Sequence, residues 1–140
     1  MKGTYTALMQ SRFFNPAFNS AIFDGPIRIY FAQFHESLAL KIYFCLQQKF
    51  GPEMARAKEL HKTLDKNVLV MLYPSLDSFK LSFEGNEEFM SQDDLLGDTL
   101  IGINGPFEDA KLDLVLEQIL AALNSWEKIP VPKVFATATI

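Results

Sequence analysis

Two histidines, one cysteine and a run of acidic side chains are the residues of this chain with chemistry to offer. Cys45 lies between Phe44 and Leu46 in an apolar stretch. Apolar surroundings raise a thiol's pKa and make it a poor nucleophile. No Gly-x-Ser-x-Gly elbow is present, and Ser37 and Ser91 read as helix caps. General acid–base work needs a histidine or a paired carboxylate. His35 falls next to Glu36 where a strand pattern gives way to a helical one, and His61 lies between Leu60 and Lys62 at the edge of a helical stripe. Nothing in their spacing brings the two together.

Metal ligation needs donors at matched spacing. The chain has no cysteine pair, no His-x-x-x-His and no His-Glu-x-x-His. Glu84, Glu87, Glu88, Asp93, Asp94 and Asp98 supply hard oxygen ligands but lack the alternating order of a calcium loop. They read instead as a solvated acidic stretch or a docking surface for a basic protein. Gly97, Gly102 and Gly105 match neither phosphate-binding glycine pattern. No metal and no cofactor is expected.

Charge sharpens this reading. Residues 1–75 carry +4 and residues 76–140 carry −8, for a net −4. Such asymmetry steers association with complementary surfaces. A net acidic chain is a poor nucleic-acid binder. The longest apolar-rich stretch, 38–46, is interrupted by Lys41 and too short to cross a bilayer. With one cysteine and no apolar leader pattern, the expectation is a cytoplasmic protein that binds neither nucleic acid nor membrane.

The elements that must position these residues follow from periodicity. At 140 residues with 49% hydrophobic and 21% charged side chains, the chain has the size and composition of one domain. Residues 1–128 are expected to form it, with 129–140 as an extended apolar tail. Residues 17–23 and 27–32 flank Asp24-Gly25-Pro26 and predict a β-hairpin. Leu38 to Leu46 is apolar on nearly every side of a helix, which predicts burial on more than one face, in this chain or against a second one. Gly51 and Pro52 end that helix and open another, to about Lys66.

The run VLVMLY, 68–73, predicts a buried strand. Phe79, Leu81 and Phe83 alternate with polar residues and predict a half-exposed strand. Ser91 and Asp94 resemble a capping box and predict a helical turn near 92–96. Leu100, Ile101 and Ile103 suggest a further strand, and 106–126 an amphipathic helix of roughly 30 Å. The fold class expected is α+β: a largely antiparallel sheet of four to five strands, packed helices and a long C-terminal amphipathic helix.

Three functions compete. The first is a self-associating interaction or regulatory module, a homodimer held through Ile42, Tyr43, Leu46 or Phe135, with the acidic stretch facing a basic partner. The second is a small-ligand sensor whose aromatic pocket presents Tyr30, His35 and Tyr43. The third, and least supported, is a histidine-dependent enzyme. The sequence favours the first.

Overall fold

The computed structural model describes residues 4–85, 87–104, 107 and 109–128. The chain runs α1 (Thr4–Met9), β1 (Ser20–Asp24), β2 (Ile27–Phe31), α2 (Glu36–Lys49), α3 (Gly51–Leu64), β3 (Val68–Tyr73), α4 (Leu76–Ser82), β4 (Met90–Leu95), β5 (Asp98–Asn104) and α5 (Leu112–Asn124). Among the described residues the five strands make one sheet in the order β1-β2-β3-β5-β4. Two antiparallel hairpins, β1–β2 and β4–β5, stand at the two ends. Between them β2, β3 and β5 run parallel.

The sheet is therefore mixed, which corrects the expectation of a largely antiparallel one. Parallel neighbours cannot be joined by a tight turn and need a long crossover. Here α2 and α3 together carry the chain from the end of β2 back to the start of β3. All six residues of β3 are buried, the pattern of a parallel strand covered on both faces.

Strand alternation sorts the sheet's side chains into two cores. Ile27, Ile29, Phe31, Val68, Val70, Leu72, Ile101 and Ile103 face α2, α3 and α5. Tyr30, Leu69, Met71, Tyr73 and Leu100 face the other way, onto Leu8, Phe13, Phe18, Phe79 and Phe83 from α1, the loop after it and the α4 region. Phe13 and Phe18 are buried in the second core and Phe31 in the first, whereas Phe23, Phe34 and Phe44 are exposed. Phe18 meets Tyr73 edge to face at 5.2 Å, and Phe79 stacks on Phe83 at 4.9 Å.

Three local expectations are overturned. Residues 76–82 form a helix, not a strand. Phe79 and Phe83 are spaced four apart, so the alternation that suggests a strand also fits one face of a helix. Leu81, the residue between them, is largely exposed. A reciprocal capping box between Ser75 and Ser78 starts this helix. Residues 90–95 are a strand rather than a helical turn. Leu96 and Gly97 both have positive φ, 51° and 93°, which makes the two-residue turn that closes the β4–β5 hairpin. Finally, α5 has 13 residues, about 20 Å, rather than the expected 30 Å. Its Leu114 is exposed, so its apolar residues are not confined to one face. The expected helix start at Pro106 and the tail 129–140 lie outside the described residues.

Gly102 shows how closely the second core is packed. A Cβ there would overlap the Phe83 ring, with Cζ 2.6 Å away and the Tyr73 ring 3.2 Å away. Gly102→Ala is expected to cost about 1–3 kcal/mol of stability, read from the shift of the urea midpoint. Phe83→Leu in the same chain should recover part of that loss; an undiminished loss in the double variant would move the clash elsewhere.

Candidate functional site

The two edges of the sheet differ in kind. An edge strand offers unpaired backbone groups to any passing strand, and charges are the usual protection. β4 is so protected: it carries Asp93 and Asp94 within MSQDDL. β1 reads SAIFD, with no lysine, arginine or proline and one charge at its last position. That charge stands on the face of α2 and α3, so Ala21 and Phe23, on the second face of β1, carry none. Asp24 accepts hydrogen bonds from Tyr43 Oη at 2.7 Å and Gln47 Nε2 at 2.8 Å, and pairs with Lys58 Nζ at 3.0 Å. Burial raises the Asp24 pKa, but these three partners together outweigh it and hold the carboxyl below its ordinary value. The same contact raises the Tyr43 pKa.

Beside β1, on the second face, lies an open depression of about 380 Å³ lined by Phe18, Asn19, Ser20, Ala21, Phe23 and Tyr30. Phe23 is 59% exposed at its rim. Its ring meets Tyr30 edge to face at 5.8 Å, and the Arg28 guanidinium lies 5.0 Å from its centre. Asn19 fixes one end of the depression: its Oδ1 accepts the Gln33 backbone N–H at 2.9 Å. Ala21, the smallest side chain of β1, leaves room between Phe18 and Phe23. An aromatic floor beside an open strand edge is the arrangement that β-strand addition uses, where backbone bonds give affinity and side-chain pockets give selectivity.

The residues singled out from sequence scatter over the molecule. Tyr30 does line this depression, but Tyr43 packs on the opposite face of the sheet. His35 is buried where α2 begins, with its ring 4.5 Å from that of Phe34 and its Nδ1 without a hydrogen-bond partner among the described residues. Burial lowers its pKa. Ile42 and Leu46 are wholly buried in the chain's own first core, which takes them out of any surface contact. Phe135 lies outside the described residues.

The acidic stretch is largely engaged within the chain. Arg12 binds Glu84 at 2.9 Å and Asp93 at 3.0 Å, and Lys80 binds Glu87 at 3.0 Å. Asp94 accepts the Gly97 N–H. Asp98 is buried and bonded to Asn67, which also meets His61 Nε2 at 3.1 Å. Glu88 remains on the surface. Among the described residues no group of three or more metal-ligating side chains converges, and no helix is long and apolar enough to cross a membrane.

Sequence reasoning missed Phe18, Ala21 and Phe23 as a group. The signal was present in part: a five-residue strand whose one charge stands at its last position. Only the strand order shows that this strand is an edge. Comparison of the chain with protein-family models, with curated proteins and with solved structures finds no match in any of the three.

Proposed function

We propose that this protein is an interaction module that works through the β1 edge and the aromatic depression beside it, adding an extended stretch of polypeptide to its sheet. The observation that carries this reading is the contrast between the edges: β4 carries two acidic residues, whereas β1 presents Ala21 and Phe23 beside Phe18 and Tyr30 and has no further strand paired to it among the described residues. A small-ligand site would enclose most of its ligand, and this depression lies open along a strand. Catalysis draws no support from the histidines, since the partner of His61 is Asn67 and the ring beside His35 is that of Phe34.

A photo-crosslinking phenylalanine at position 23 tests the reading in cells. The expected result is a discrete protein adduct that is lost when Ala21 is replaced by proline, and no such adduct from the same reporter at the exposed Asp113 position. Proline at 21 removes one backbone donor and would block strand addition there. No adduct at 23, or an adduct indifferent to Ala21→Pro, would sink the reading.

A further inference from the structure

We infer that the strand received by β1 is β1 of a second copy of this chain, paired antiparallel and centred on Ile22, with each Phe23 seated in the other copy's depression. The inference rests on β1 being the docking edge and goes further by naming the occupant and its register.

The direction of the backbone groups comes from the turn. Gly25 has φ 59°, and Pro26 cannot take a positive φ, which selects the two-residue turn with glycine first. Such a turn closes on a hydrogen-bonded pair, here Asp24 and Ile27. Bonded and non-bonded pairs alternate along an antiparallel ladder. Ile22 and Ser20 therefore bond inward to β2, while Ala21 and Phe23 aim their N–H and C=O outward. An incoming strand must meet those two residues.

Pairing about Ile22 meets them symmetrically. Ala21 of one copy stands opposite Phe23 of the other and the two exchange both hydrogen bonds; the two Ile22 residues form the non-bonded pair between. Opposite residues of a ladder share a face. Phe23 of the second copy therefore rises over Ala21, the small residue between Phe18 and Phe23 in the depression. On the other face Ile22 meets Ile22, and Ser20 meets Asp24. No like charges are set opposite one another. The contact is self-complementary and closes after two copies. The joined sheet ends on both sides in β4, whose Asp93 and Asp94 discourage further growth.

The register makes the test specific. Residues of a non-bonded antiparallel pair have Cα atoms about 4.5 Å apart, within disulfide reach. In a Cys45→Ser background, Ile22→Cys is expected to give a disulfide-linked dimer on mild oxidation. Ser20→Cys, whose two copies would be about 13 Å apart along the strands, is expected to give none. The unmodified full chain should have a dimer's native mass, and Ala21→Pro should raise the dissociation constant at least about tenfold with its circular dichroism unchanged. A dimer that Ala21→Pro leaves intact, or that Ile22→Cys fails to link, would overturn the inference. A purified chain that stays monomeric while the reporter at 23 captures a different protein, sensitively to Ala21→Pro, would overturn the second copy but keep the docking edge. Monomeric mass with no adduct at 23 would remove both.

Discussion

Phe79→Ala is expected to lower folding stability by about 3–5 kcal/mol, the largest loss foreseen for a single replacement in this protein. Phe79 is wholly buried. Its ring stacks on Phe83 at 4.9 Å and meets Tyr73 edge to face at 5.7 Å. Truncation removes the buried ring, leaves a cavity and breaks both ring contacts. The second core has little with which to fill the gap. It is covered by a six-residue helix, the loop after it and a seven-residue helix, whereas α2, α3 and α5 shield the first core.

The loosening should reach the depression, because Phe18 rests against Tyr73, which donates its hydroxyl to the Phe13 carbonyl at 2.7 Å. Urea unfolding measures the loss, and amide exchange locates it: protection should fall first in α4 and the loop before β1. Trp126, buried in the first core, should keep its fluorescence until global unfolding. A loss below about 1 kcal/mol would contradict the packing described for this layer.

Asn67→Ala is the second large effect, and it should depend on pH. Asn67 ties three elements together. Its backbone N–H donates to Asp98 Oδ1 at 2.9 Å, its side-chain amide donates to the same carboxylate at 3.3–3.4 Å, and its Oδ1 meets His61 Nε2. Its carbonyl accepts from Thr99. These contacts clamp the start of β3 to the start of β5 and to the end of α3. Alanine keeps the backbone bonds and deletes the amide, leaving a buried carboxylate short of donors. The expected loss is about 1–3 kcal/mol at neutral pH, toward the upper end because the acceptor is charged.

Burial raises the Asp98 pKa, opposed by the Asn67 backbone and side chain and then by the charges of Arg28 and Lys66. A carboxyl whose native pKa lies above its unfolded value binds its proton more tightly when folded. Its contribution therefore worsens as pH rises from the ordinary carboxylate range through the native pKa. Removing the Asn67 amide raises that pKa further. The deficit of Asn67→Ala should accordingly be largest at neutral pH and shrink as pH falls through the native pKa and Asp98 takes up its proton. Urea titrations of both proteins at pH 7 and pH 4.5 check this. An equal deficit at both values would mean that the amide does not serve the ionised carboxylate.

The two expected effects differ in how far the sequence announces them. Phe79 stands out as apolar, but its period reads equally as strand or helix; only packing against Tyr73 and Phe83 decides. Asn67 gives no sign at all, since its partner Asp98 is 31 residues away and reads as one more member of an acidic stretch.

By itself the sequence determined the features that depend on neighbouring residues. Asp24-Gly25-Pro26 sets the first hairpin, because glycine and proline restrict the backbone wherever they stand. Gly51 and Pro52 divide α2 from α3 for the same reason. The unbroken apolar run of β3 marks a strand covered on both faces. Strand order, the parallel core and the identity of the edges were decided only in three dimensions. They arise from contacts between distant segments, which no local period encodes. That is why Ile42 and Leu46, conspicuous in a linear reading, lie in the chain's own core, while Ala21 and Phe23 stand at the exposed end of the sheet.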